Sequence, residues 1–177
     1  GAEVETQKYF DLAPLSDALA SRRLLAIVNY TYSHSALKVK DTDPVAAFPL
    51  SVTLANQLFR DGSPLTGQSD HLANIQLGLE DQDHLSQQTL LLSYASMRTT
   101  RRGPSGQADI REQPGFHLDF IAREGVEFQG IPAEIKFEVR NITGTKYQEY
   151  QQNGDNRIYY NLYNVGTTAT LGVALNF

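Results

Sequence analysis

The sequence predicts an all-β fold: an antiparallel, up-and-down segment of about seven strands with the character of a transmembrane β-barrel wall. Three observations carry that expectation. Apolar and polar residues alternate with a period of two in block after block, the spacing of a strand with unlike faces rather than of a helix. The connections between blocks alternate short and long, as in an up-and-down barrel with one trimmed and one elaborated rim. No apolar run reaches the length of about eighteen residues that marks a transmembrane helix. A transmembrane strand needs only about ten residues of alternating character, so a polar average does not count against it.

Residues 2–10 form the first and least regular block. Residues 24–32 put Leu24, Ala26, Val28, Tyr30 and Tyr32 on one side; the phase then slips to Leu37 and Val39, which a bulge at 34–36 reconciles. Residues 72–80 set Ala73, Ile75, Leu77 and Leu79 against Asn74, Gln76, Gly78 and Glu80. Residues 88–97 face Leu90, Leu92 and Tyr94 outward, and residues 116–123 set Phe116, Leu118, Phe120 and Ala122 against His117, Asp119, Ile121 and Arg123. Residues 133–140 are the clearest block: Ala133, Ile135, Phe137 and Val139 alternate with Glu134, Lys136, Glu138 and Arg140. Residues 163–177 read as one long last strand ending on an aromatic.

Between these blocks lie a medium turn at 11–22, a long segment at 41–70, a short turn at 80–84, a long polar loop at 101–114, a short turn at 124–132 and a long loop at 145–156. An odd number of strands does not close a bacterial single-chain barrel, so the chain reads as part of a larger one.

Composition narrows the function. Fifteen Lys and Arg against 20 Asp and Glu give a net charge of -5, which argues against a partner bound through phosphate neutralisation, so no nucleic acid is expected. With no cysteine among the 177 residues there is no disulfide, thiolate metal site or cysteine nucleophile. The opening Gly-Ala-Glu-Val-Glu lacks the basic and apolar regions of a signal peptide, so any export signal is expected upstream of Gly1. His34, His71, His84 and His117 sit in different elements with no ligand spacing, and neither a nucleophile elbow nor a phosphate-cradling loop is present. Neither a metal, a cofactor nor an enzymatic activity is expected.

Three segments carry a family resemblance. Residues 136–147, Lys-Phe-Glu-Val-Arg-Asn-Ile-Thr-Gly-Thr-Lys-Tyr, place the pair Asn141 and Ile142 a few positions before an aromatic next to Lys. Residues 170–177, Thr-Leu-Gly-Val-Ala-Leu-Asn-Phe, end on an aromatic, and residues 1–8 read Gly-Ala-Glu-Val-Glu-Thr-Gln-Lys. These resemble the penultimate, last and a mid-barrel strand of TonB-dependent outer-membrane receptors, so that residues 1–177 correspond to the C-terminal part of such a barrel. The resemblance implies a barrel of about 22 strands in the bacterial outer membrane. It implies active uptake of a scarce ligand: a siderophore, cobalamin, haem or an oligosaccharide.

The implied partners are outer-membrane lipid, the remaining strands and plug domain, TonB acting through that plug, and the barrel assembly machinery, which reads Val173, Leu175 and Phe177. Neither plug nor energy-coupling box is in the chain, so it is not expected to transport alone. Counting back from Phe177 puts the loops at 145–156, 101–114 and 41–70 outside the cell and the turn at 125–132 in the periplasm.

Within that frame Glu134, Lys136, Glu138 and Arg140, beside His117, Asp119 and Arg123, line the lumen. They form a cross-strand charge ladder and a contact surface for the plug or a polar solute. Arg98, Arg101 and Arg102 form a basic cluster at the mouth suited to an anionic siderophore or a lipopolysaccharide phosphate; an ordinary solvated rim explains them equally well. The segment 41–70, with Phe48, Leu50, Val52, Leu54, Leu58 and Phe59, is too apolar to hang free. It is expected to fold over the mouth, with a short helix over 51–59, and to select ligand. Tyr30, Tyr32, Tyr94, Tyr159, Tyr160, Tyr163 and Phe177 fit interfacial girdles.

Two other readings stand. One is a small self-standing outer-membrane barrel, a passive pore or adhesin, with an eighth strand drawn from 147–160. The other is a soluble β-barrel or sandwich binder with its apolar face inward, since period two does not distinguish inside-out from outside-in. The resemblance and the terminal Phe favour the receptor.

Overall fold

The computed structural model describes residues 1–47, 51–103 and 107–175. Phe48, Leu50 and Phe177, singled out above for the mouth and for assembly, lie outside the described residues. Over the described residues the chain is all β. The strands are β1 (Ala2–Asp11), β2 (Arg22–Tyr32), β3 (Pro44–Ala47), β4 (Val52–Leu54), β5 (His71–Asp81), β6 (Ser86–Ala95), β7 (Arg98–Arg101), β8 (Ile110–Glu112), β9 (Gly115–Phe128), β10 (Ile131–Arg140), β11 (Tyr147–Asn153), β12 (Asn156–Tyr163) and β13 (Thr168–Leu175). Three single-turn 3₁₀ segments punctuate them.

Seven strands make one antiparallel sheet in the order β1-β2-β5-β6-β9-β10-β13, each paired with the next in the chain apart from excursions at one edge. These are the seven blocks expected from the alternation. The connections 33–70, 96–114 and 141–167 all leave from one edge; 12–21, 82–85 and 129–130 leave from the other. The tightest is the two-residue turn Gln129-Gly130, both at positive φ (53° and 80°), the geometry whose twist matches that of the flanking strands.

The registers carry one apolar face across the whole sheet. Val28 lies beside Ile75, which lies beside Leu92, which lies beside Leu118. Further along, Phe120 lies beside Val139, which lies beside Ala169, and Ala122 lies beside Phe137, which lies beside Leu171. The opposite face is mostly polar, with Glu5 beside Asn29 and Asn29 beside Asn74, and Gln87 beside Arg123 and Arg123 beside Lys136, but it also carries Leu25, Ile27, Leu91 and Ile121.

The two rims are also staggered. Asp11, Arg23, Glu80, Gln87, Arg123, Lys136 and Gly172 stand on one line of partners across the sheet. Measured from that line, the short-turn rim advances from Asp81 on β5 to Phe128 on β9, while the long-loop rim recedes from Tyr32 on β2 to Arg140 on β10. Both rims step the same way, as strands do when tilted relative to the direction in which the sheet extends.

This sheet has no second layer among the described residues, and its core is correspondingly small. Among the described residues the buried apolar ones are Leu25 and Ala133 in this sheet and Ile110 and Tyr150 on β8 and β11, while Leu171, Val173 and Phe128 on the apolar face are 69%, 65% and 62% exposed. A soluble domain buries an apolar sheet face against a second layer. Here that face is bare from β1 to β13.

The long-loop edge departs from expectation. A four-stranded sheet, β12-β11-β8-β7, stands there, with the two-stranded β3-β4 hairpin beside it. The loops 101–114 and 145–156 are thus mostly strand. The last strand is not continuous over 163–177: Tyr163 ends β12, and a turn precedes β13. In that turn Asn164 Oδ1 accepts from the Gly166 N–H at 2.9 Å and Gly166 has φ 76°, a local closure that outweighs the unbroken alternation.

Residues 147–160 give no eighth wall strand, because β11 pairs with β12 and β8 instead. Tyr159, Tyr160 and Tyr163 therefore sit on the loop-edge sheet rather than on a girdle of the wall. The expected bulge at 34–36 is absent: β2 stops at Tyr32, and the chain beyond is held to the 60s, with Ser33 N–H on the Asp70 carbonyl at 2.9 Å and Leu37 N–H on that of Ser63 at 2.8 Å. In place of a helix over 51–59, Val52–Leu54 pair with Pro44–Ala47 and only a 3₁₀ turn, Ala55–Gln57, follows. Met97 lies outside β6, which ends at Ala95.

Candidate functional site

The polar face of the seven-stranded sheet carries paired charges. Arg123 donates from Nε and Nη2 to the two Glu134 carboxylate oxygens at 2.7 and 3.0 Å, across the β9–β10 register. Glu138 is shared by Lys136, at 2.9 Å, and Arg140. Arg23 grips Glu80 at 3.0 Å across β2–β5 and lies 4.4 Å from the Tyr9 ring centroid. Of the ladder expected across neighbouring strands, only Arg123–Glu134 joins β9 to β10; Lys136 and Arg140 pair with Glu138 along β10 itself. Gln76, Gln87, Thr89, Arg123, Glu134 and Lys136, together with Leu91 and Ile121, line an open concavity of mixed polarity on this face. His117 stands on the same face opposite Ser93.

Asp119 has another task. Its Oδ1 accepts the Asn141 N–H at 2.8 Å where the chain leaves β10. Asn141 holds φ 54°, a left-handed conformation that Asn tolerates better than most side chains. Its amide donates to the carbonyls of Thr145 (3.1 Å) and Gly166 (2.9 Å), and its Oδ1 accepts from the Thr145 N–H at 3.0 Å. The Asn141 carbonyl accepts from the Thr167 hydroxyl at 2.9 Å, and Thr143 donates to the Phe116 carbonyl at 3.0 Å. Asn141, with Asp119, Thr143 and Thr167 around it, therefore fastens the rim ends of β9, β10 and β13 together.

Above this knot stands the loop-edge sheet. Arg98 on β7 donates from Nε and Nη2 to Glu112 on β8 at 2.8 and 3.0 Å. Glu149 on β11, 3% exposed, accepts from Thr100 at 2.5 Å and from the Asn161 amide at 2.6 Å. The Thr100 hydroxyl chiefly, with the Asn161 amide and the Arg101 charge, holds the Glu149 carboxyl below the usual carboxylate range against the opposing effect of burial. Tyr147 stacks on Tyr163 with ring centroids 4.9 Å apart, and burial pushes its phenol up. Arg157 lies 3.9 Å from the Tyr150 ring centroid.

The basic cluster does not act as one patch. Arg98 is spent on Glu112, Arg101 is exposed at the end of β7, and Arg102 turns to Asp109, with Nη1 to Oδ2 at 2.7 Å. Phe59 and Arg102, from segments some forty residues apart, are brought to one cleft, which also contains Arg60, Ser63, Gln107 and Asp109. Val173 and Leu175 lie on the apolar face beside Ile135 and Ala133. Sequence reading missed Arg60, Asp109, Glu112 and Glu149; the short spacing Arg98…Glu112 across a polar loop was the one available signal of a hairpin. No protein-family model, curated protein or solved structure matches the chain.

Proposed function

We propose that the seven-stranded sheet is wall from a transmembrane β-barrel of the bacterial outer membrane, the C-terminal portion of a TonB-dependent receptor. In it β11–β12, β7–β8 and the 33–70 segment form the extracellular mouth that meets ligand. The observation that supports this most is the bare apolar face, continuous over seven strands, backed by a polar face of paired charges. Lipid is the environment that stabilises such a face without a second protein layer, and a lumen filled by a plug or a polar solute suits the other. The stagger of the rims and the placement of every long connection at one edge fit tilted strands with one elaborated rim. The segment of Asn141 to Tyr147, which carries the family resemblance, is where the wall is tied to the mouth.

Extraction of the expressed full chain tests the reading. The expected result is recovery only in detergent, with a gel mobility that shifts on boiling. A monodisperse monomer in plain buffer contradicts it and favours the soluble binder.

A further inference from the structure

The cleft between the 3₁₀ turn Ala55–Gln57 and the chain following β7 has a volume of about 170 Å³. A water occupies only about 10–15 Å³ on that measure, so a small polar solute has room there. One wall supplies Asn56, Phe59, Arg60 and Ser63; the other supplies Arg102, Gln107 and Asp109. Arg60 and Phe59 are exposed, so the cleft is open to solvent.

Arg102 is half committed. Its Nη1 donates to Asp109 Oδ2 at 2.7 Å, while Nη2 is buried and has no hydrogen-bond partner among the described residues. A buried cationic donor without a protein acceptor is costly, and such a nitrogen is satisfied by a water or by an anion. Asp109 Oδ1 also accepts from the Gly103 N–H at 3.1 Å, which fixes the carboxylate and through it the guanidinium. Glycine is required at 103, because a Cβ there would come within 2.3 Å of the Ala108 carbonyl oxygen. Two arginines against one aspartate leave the cleft cationic on a chain of net charge -5.

We infer that this cleft binds an oxyanion, a carboxylate or phosphate carried by a small solute. Arg60 and Arg102 are its cationic contacts, Phe59 its apolar side, and Asp109 the positioning residue for Arg102. A guanidinium presents paired N–H donors in a plane that matches such a group. The inference rests on the receptor reading for its biological role, naming the ligand class for that mouth; the binding itself rests on the cleft.

Isothermal titration calorimetry on the full chain in detergent micelles at fixed ionic strength tests it, with citrate and inorganic phosphate as probes and sucrose as the neutral control. The expected result is saturable one-site binding of an oxyanion, with no heat from sucrose; whichever of citrate and phosphate binds tighter names the group. Arg60→Gln is expected to weaken binding by about tenfold, the loss of one charge-assisted contact. Asp109→Asn keeps the acceptor for Gly103 but loses the carboxylate that positions Arg102, and is expected to weaken binding. Absence of saturable binding by either oxyanion overturns the proposal, as does an affinity unchanged in both Arg60→Gln and Arg102→Gln. Arg60→Gln decides the case if Arg102→Gln loosens the hairpin. The extraction experiment uses no ligand, so failure there and failure here are separable.

Discussion

The seven-stranded sheet and the loop-edge sheet are both antiparallel, yet they are held together differently. In the wall, order comes from repetition: each strand adds one more copy of the same two-faced pattern, and its charge pairs, such as Arg123 with Glu134, sit on an open face. The loop-edge sheet has no such repeat. Its register depends on individual polar contacts, Glu149 with Thr100 and Asn161, and Arg98 with Glu112, several of them buried. The wall should therefore tolerate single polar changes that the loop-edge sheet and the knot beneath it do not.

The largest effect is expected where the two regions join. Asn141→Ala removes side-chain hydrogen bonds to Thr145 and Gly166 and leaves a Cβ residue at φ 54°. Several net hydrogen bonds and a left-handed penalty together cost about 3 kcal/mol. Asn141→Gly should recover the backbone part, about 1 kcal/mol. Urea unfolding of the full chain in detergent compares the two, and equal losses would show that the backbone geometry contributes nothing.

A smaller effect is expected within the loop-edge sheet, from Glu149. Its carboxyl is held below the usual range when folded, so its contribution to stability is complete above the ordinary carboxylate pKa and is lost as pH falls through the lower folded value. Acid should therefore loosen this sheet only as pH falls below the ordinary carboxylate range. The near-ultraviolet circular dichroism of the stacked Tyr147 and Tyr163 reports it. Glu149→Gln should flatten that titration; an unchanged acid transition would place its cause in another group.

The same contrast explains what could be read from sequence. All seven wall strands were legible because a period of two is a property of the chain alone, and Ala133 through Arg140 shows it without exception. The break at Gly166 was not, because alternation runs through 163–177 and the turn is set by one Asn164 hydrogen bond. Nor were β7, β8, β11 and β12, whose amide-rich and charged residues resemble loop until their partners are known. Phe59 and Arg102 were each legible as mouth residues, but their convergence with Arg60 depends on how two long excursions fold back over the same edge.

In the proposed receptor the apolar face meets lipid and the polar face does not. Leu77 and Gln76 are neighbours on β5, one on each face, and the chain has no cysteine of its own. Leu77→Cys and Gln76→Cys, each labelled with a polarity-sensitive fluorophore, give the most direct measurement once the full chain is reconstituted in vesicles containing brominated lipid. Blue-shifted, lipid-quenched emission is expected at position 77 and water-like, unquenched emission at 76. Water-like emission at both positions, or lipid quenching at 76 instead of 77, would contradict that arrangement.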